Sequence, residues 1–341
     1  MKVFHCNIHG DIYVSDLALS LIDTREFQRL HYIHQMGMAY KVFPTAKHSR
    51  FEHSIGTYYL TGLLLDRLDP EGLDSHTREL IKIGGLLHDI GHGPFSHLFD
   101  NFFLKDYSGA WKHHETRSQD IFKYIVKKYN LNFTKEDQEI ITEVIEPTRT
   151  EWWLNIVNNK ITGIDVDKLD YIIRDNLTLG LKLNIDVNRI INNSAIIDKQ
   201  ICYCDRIKDD IFNLLYVRFR LYTEIYTHPT SLRFELIMCE ILKDLNKDDN
   251  IMNIIKTKNV EQFCQLTDAY IITLGSPDLL DLIDRRGYLE NGENHDNDDK
   301  KDIAFSFMKN QPDPFQNIYF YNRKEPNKSF KIPPSDINIF L

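Results

Sequence analysis

No apolar run in the chain approaches the ~18 residues of a membrane span. No N-terminal apolar stretch resembles a signal peptide. Cysteine is sparse: Cys6, Cys202, Cys204, Cys239 and Cys264 form no CxxC pair, and their number is odd. That argues against a zinc ribbon or a disulfide framework and for a reducing compartment, the cytoplasm or the nucleus. Positive charge is not in excess either. Lys and Arg number 41 against 50 Asp and Glu, a net charge of -9, so a surface that coats nucleic acid is not expected. Neither nucleic acid nor membrane is therefore an expected partner. What the chain does have is length, 341 residues, enough to bury about three quarters of its unfolded surface without staples. It also has histidine. Ten of its 14 histidines lie between His31 and His114, and a side chain that titrates near neutrality, crowded in this way, suggests metal or proton chemistry. The other reading of that crowding is a histidine-rich surface.

Periodicity makes the chain mainly helical. Lys2–Val14 reads as two short strands around His9-Gly10-Asp11. Helices are expected over 17–22, 25–36, 52–68, 77–92, 114–129, 135–145, 165–175, 207–227 and 230–245, with pieces across 258–284. Residues 195–203 look β-like. Residues 290–302 are acidic and polar and read as an exposed loop. Residues 317–321 and 329–332 alternate like a hairpin, with its turn at Pro326-Asn327. The expected organisation is a helical domain over 1–285 and an acidic loop with a small β-containing tail over 286–341, packed on it.

Three segments carry chemistry. In Leu86–Gly93, His88 and His92 are four residues apart on the expected helix, with Asp89 at the edge of their face. Such groups are costly to bury unpaired. A metal ion would satisfy them; so would a helix C-terminus that favours His92, with Asp89 meeting a Lys or Arg. In Ser49–Ser54, His53 opens a helix whose buried face continues through Ile55, Tyr59 and Leu63. In Gly163–Asp175, Lys168, Tyr171 and Asp175 share one helix face, and Asp165 and Asp167 stand at its start as cap or first-turn acids.

The order His53, His88-Asp89, Asp167 resembles that of the HD-domain metal-dependent phosphohydrolases. The surrounding strings Phe43–Ser54, His88–His97 and Gly163–Tyr171, together with Ile22–Leu30 and the region 313–321, resemble the deoxynucleoside triphosphate triphosphohydrolases of that family over nearly the whole chain. No separate SAM domain is expected. The resemblance implies a mainly α HD-domain fold with small β-hairpin additions at both ends. It implies hydrolysis of a dNTP to deoxynucleoside and inorganic triphosphate, a step of deoxynucleotide catabolism. It further implies one transition metal, Fe, Mn or Zn, held by His53, His88, Asp89 and Asp167, and Mg²⁺ carried in with the triphosphate.

By the same resemblance His92 and His97 face the α-phosphate. His114 is the proton donor, with Asp100 and Glu115 as its carboxylate partners and His113 as an adjacent rival. Arg50, Lys168 and Arg218 take the phosphates; Gln35, Met36, Tyr171, Asp175 and Tyr226 take the sugar. Lys2, Val3, Asp23, Gln28, Arg189 and Arg286 match the family's regulatory nucleotide sites between subunits of a homo-oligomer, a dimer or tetramer. His31 and Cys204 stand there in place of arginine, which puts nucleotide-driven assembly in doubt, since a thiol cannot hold phosphate as a guanidinium does. The alternatives are the same fold acting on another phosphoester, a cyclic or alarmone nucleotide, or a catalytically silent module that binds nucleotide or RNA.

Overall fold

Alternating burial in the opening hairpin turns Ile12 and Val14 toward the interior. The computed structural model describes residues 2–69, 72–284 and 317–333. Strands β1 (Lys2–Cys6) and β2 (Gly10–Val14) pair antiparallel, Lys2 opposite Val14. Ser15 then caps α1 (Asp16–Ile22), its hydroxyl accepting from Ala18 N–H at 3.0 Å. Helix α2 is only Arg25–Gln28 and tightens into a 3₁₀ turn over Arg29–Tyr32, shorter than the expected 25–36. The reason lies in long-range bonds. His34 N–H bonds Asp268 and Gln35 N–H bonds the His48 carbonyl, so neither can continue a helix ladder.

Helix α3 (Arg50–Leu68) starts where the Glu52 side chain accepts the Ser49 N–H at 3.2 Å. It packs against α4 (Ser75–Leu87) and α7 (Val166–Leu179). Between these lie α5 (His114–Lys128) and α6 (Lys135–Ile145). Next come α8 (Val187–Asn192), which the periodicity does not reveal, and the hairpin β3 (Ser194–Ile197) and β4 (Gln200–Cys204). Helix α9 (Lys208–Arg220) runs into a π-helical turn over Leu221–Tyr226. It is followed by α10 (Pro229–Leu245), α11 (Asn250–Lys256), α12 (Val260–Phe263), α13 (Asp268–Leu274) and α14 (Pro277–Ile283).

Strands β5 (Tyr319–Asn322) and β6 (Glu325–Phe330) complete a sheet of order β3-β4-β5-β6, with β5 parallel to β4. Their turn is at Arg323-Lys324, where the Asn322 side chain accepts the Lys324 N–H, rather than at Pro326-Asn327. Pro326 lies inside β6, the edge strand, where a missing N–H is tolerated. Among the described residues the fold is mainly α with two small sheets. The expected loop over 290–302 lies outside the described residues.

Helix α3 runs between two apolar clusters. Phe51, Ile55 and Tyr58 face one, built with α1, α5 and α10; Leu60, Leu64 and Leu65 face the other, built with α7, α9 and β4. The polar face of its first turn is where His53 sits.

Candidate active site

Helix α4 stops at Leu87, short of the expected 92, and His88 is its C-cap. His88, Asp89 and His92 therefore lie on successive turns rather than on one helix face. The Ile90 N–H bonds Leu87 and the His92 N–H bonds Asp89. The start of α5 clamps this turn: Ser118 Oγ accepts the Gly91 N–H and donates to the His88 carbonyl, and Arg117 Nε donates to the Gly91 carbonyl. A Cβ at Gly91 would lie 2.2 Å from the His114 carbonyl oxygen, so only glycine allows this approach.

The turn brings His88 and Asp89 against His53 of α3 and Asp167, in the first turn of α7. His53 Nε2 lies 3.1 Å from Asp167 Oδ1, 3.3 Å from His88 Nε2 and 3.4 Å from Asp89 Oδ2. His88 Nε2 is 3.4 Å from both Asp89 Oδ1 and Asp167 Oδ1. Bonds of about 2.0–2.2 Å put neighbouring ligand atoms on an ion roughly 3 Å apart.

The donor set fits a cation chemically as well. His88 Nδ1–H donates to the Gly85 carbonyl at 2.8 Å and His53 Nδ1–H to Asp170 at 2.8 Å. Both Nε2 lone pairs are thereby turned toward each other and toward two carboxylates. His53, His88 and Asp167 converge as a set that a divalent cation would satisfy, with Asp89, bonded by Arg50, beside them. Burial disfavours charge on His53, yet hydrogen bonds to Asp167, Asp170 and Asp89 outweigh it and raise its pKa well above the usual histidine value. Asp89 is also buried, but Arg50, His88 and His92 hold its carboxyl well below the usual range. Asp167 shifts the same way through His53, His88 and Lys168. The cluster is built around positive charge.

A cavity of about 370 Å³ opens on this cluster, lined by Gln35, Arg50, His88, Asp89, His92, His97, His114, Glu115, Asp167, Lys168 and Tyr171. Of the expected residues, His53 is wholly buried behind it, and Asp100, Met36, Asp175, Arg218 and Tyr226 are not in its lining. Ile145, Val157 and Asn158 complete its wall, and no motif singled them out. His114 Nε2 lies 3.9 Å from Asp89, while its Nδ1 meets Asp100 at 3.1 Å and Glu115 at 3.6 Å. Burial opposes charge on His114, but Glu115, Asp100 and Asp89 together raise its pKa. His113 is exposed, which separates the two rivals by geometry.

His92 stacks on His114 with ring centres 3.9 Å apart, and His97 lies edge-on to both. Burial, Arg50 and His114 depress the pKa of both, His97 to about 4, so both rings are neutral near pH 7. His92 Nε2 lies 3.3 Å from Asp89 Oδ1, while its buried Nδ1 has no hydrogen-bond partner.

Two cationic groups line the cavity. Arg50 bonds Asp89 and gives its Nε to Ser96 Oγ at 2.8 Å. Lys168 Nζ pairs with Asp165 at 2.7 Å, the residue that caps α7. Arg218 stands beside Tyr171, to which it is hydrogen-bonded. Asp175 is buried between His48, at 2.6 Å, and the Tyr226 hydroxyl, at 2.5 Å.

The HD domain model matches residues 50–175, from Arg50 to Asp175, a span that brackets all four cluster residues. An HD domain-containing protein of Acanthamoeba polyphaga mimivirus is 33% identical over 97% of this chain and 87% of its own length. The chain belongs to the HD-domain family. The deoxynucleoside triphosphate triphosphohydrolase SAMHD1 of Gallus gallus is 37% identical over 70% of this chain and 45% of its own length. The Dictyostelium discoideum SAMHD1 homolog is 33% identical over 79% and 54%. The chain thus spans about half the length of these triphosphohydrolases.

Several residues that hold the HD-domain cluster in shape escaped sequence reading. Asp170 orients His53, with His9 and Arg174 as further members of that buried network, while His48 holds Asp175 in a separate buried pair. Asp268 accepts from His34 and from the Phe95 N–H at 2.7 Å, and so fixes the turn before His97. There Phe95 and Ser96 both have φ near +60°. Asp170 and Arg174 had a signal in the sequence, an acid one turn after Asp167 and a base four residues beyond it; His9, His48 and Asp268 had none, because their partners are distant in sequence.

Of the positions matched to regulatory sites, Lys2 and Asp23 approach to 4.0 Å, exposed, and Gln28 bonds the Ile22 carbonyl. Val3 is exposed and Arg189 pairs with Asp210 at 2.9 Å. Arg286 lies outside the described residues. His31 is stacked on Phe51, and Cys204 is buried with its thiol toward Asp205. Among the described residues no helix is long and apolar enough to cross a membrane.

Proposed function

We propose that this HD-domain phosphohydrolase hydrolyses deoxynucleoside triphosphates to deoxynucleoside and inorganic triphosphate. The observation that carries the reading is one cavity that opens on His88, Asp89 and Asp167, with His53 behind them, and on His114, which lies 3.9 Å from Asp89 and is held by Asp100, in a chain similar to named triphosphohydrolases. His53, His88, Asp89 and Asp167 would hold Fe, Mn or Zn. An ion there acidifies a water and withdraws charge from phosphorus.

The rest of the chemistry belongs to the chain's own groups. His114, kept protonated by Asp100 and Glu115, gives its proton to the 5′-oxygen as the bond from that oxygen to the α-phosphorus breaks. The hydroxyl of the attacking water stays on phosphorus. His92 and His97, neutral and buried, donate hydrogen bonds to α-phosphate oxygens without competing for His114's proton. Lys168, Arg50 and Arg218 supply the charge that a triphosphate with its Mg²⁺ requires, which an acidic chain must concentrate locally. Gln35 and Tyr171 face the sugar, and Met36, Asp175 and Tyr226 support that wall from behind. A wall that leaves a ribose hydroxyl without room or partner discriminates by about 2–4 kcal/mol.

The test is product identification after incubation with the four dNTPs and Mn²⁺ or Mg²⁺. Free triphosphate with unphosphorylated deoxynucleoside supports the proposal. Phosphate or pyrophosphate would move the assignment to another phosphoester. Turnover that persists in Asp167→Asn would remove it from this cluster.

A further inference from the structure

We infer that His9, in the turn of the N-terminal hairpin, is a positioning residue for the metal site, acting through Asp170 on His53. The inference rests on the metal assignment above. Asp170 is wholly buried on α7, and its two oxygens take four hydrogen bonds. Oδ2 accepts from His53 Nδ1 and from Arg174 Nε, each at 2.8 Å. Oδ1 accepts from Arg174 Nη2 at 2.9 Å and from His9 Nε2 at 2.7 Å. Arg174 balances the charge, and the two donors on Oδ1 fix the rotation of the carboxylate. That rotation decides whether Oδ2 stays in line with the His53 Nδ1–H. If it turns, the His53 ring follows, and its Nε2 swings away from Asp167 and His88.

Two features show a fit made for this carboxylate. Gly56 lies one turn along α3 from His53, and a Cβ there would stand 2.0 Å from Asp170 Oδ1. His9 comes from a surface hairpin, yet its side chain is only 6% exposed and its ring rests 5.2 Å from that of Tyr59. An imidazole drawn 161 residues across the chain to one carboxylate oxygen is either a pin for the hairpin or a setter of His53. These make different predictions. A pin needs packing on Tyr59; a setter needs an N–H aimed at Oδ1.

The experiment compares His9→Leu, which keeps bulk but cannot donate, with His9→Gln, whose amide can. Mn²⁺ is titrated into metal-stripped protein and free Mn²⁺ is followed by paramagnetic resonance, beside thermal melting of the metal-free forms. Removing an outer partner of a metal ligand costs about 10- to 100-fold in affinity. One layer further out, His9→Leu should weaken Mn²⁺ by about tenfold, with His9→Gln within about threefold of the parent. Should the Leu protein fail to fold, His9→Asn, too short to reach, replaces it in the comparison. Equal affinities for the donating and non-donating variants, whether both unchanged or both weakened, overturn the inference. His53→Ala is the control on the assignment beneath it. That protein should lose Mn²⁺ binding, and parent-like binding by it would reject the metal site itself and the inference with it.

Discussion

In the proposed reaction His114 is the proton donor, and its environment fixes the sign of a pH effect. A proton donor works while charged, so activity is full below its pKa and is lost as pH rises through it. Glu115, Asp100 and Asp89 raise that pKa, so the alkaline limb of kcat should lie above the ordinary histidine value of about 6.5. Asp100→Asn removes one of these charges and should move the limb to lower pH. A pH–kcat profile of both proteins is the check, and an unmoved limb would detach Asp100 from His114. His114→Ala should cost about 10²- to 10⁴-fold in kcat with bound metal retained, as measured by elemental analysis. At this scale the sequence was readable where the residues of one pattern lie together in the fold, as His53, His88, Asp89 and Asp167 do. It was not readable for His9 or His48, whose carboxylates lie 161 and 127 residues away.

Elements place these groups through their ends more than their faces. Helix α6 follows the expected 135–145 because its start is written locally: Thr134 and Asp137 cap each other's backbone N–H groups. The helix expected over 25–36 fails because Asp268 and the His48 carbonyl take the N–H groups it would need. Helix α4 ends early for a related reason, since Ser118 and Arg117 of α5 occupy the backbone of the turn that carries His88 and Asp89. Gly91→Ala tests this junction. Its new methyl would meet the His114 carbonyl and the Ser118 N–H, push the start of α5 outward and carry His114 with it. The expected cost is about 1–3 kcal/mol of stability by denaturant melt, with kcat falling more than metal content. A variant with parent stability and activity would show that the junction is looser than its geometry.

At the scale of the molecule, a chain of net charge -9 places Arg50 and Lys168 in the lining of the candidate site. Cys204 is buried, His31 is stacked on Phe51, and Arg189 is paired with Asp210. Turnover of dCTP should therefore proceed without GTP or dGTP, and addition of either should change it by less than about fivefold. Activity that is absent without activator, with a tetramer forming on its addition, would contradict this. The proposed reaction is attack by water on the α-phosphorus with the 5′-oxygen leaving. Hydrolysis of dGTP in ¹⁸O-labelled water, with the products weighed by mass spectrometry, tests it most directly. Unlabelled deoxyguanosine and inorganic triphosphate that carries a single ¹⁸O atom are the expected products. Label in the nucleoside, or dGMP or dGDP in place of deoxyguanosine, would contradict it.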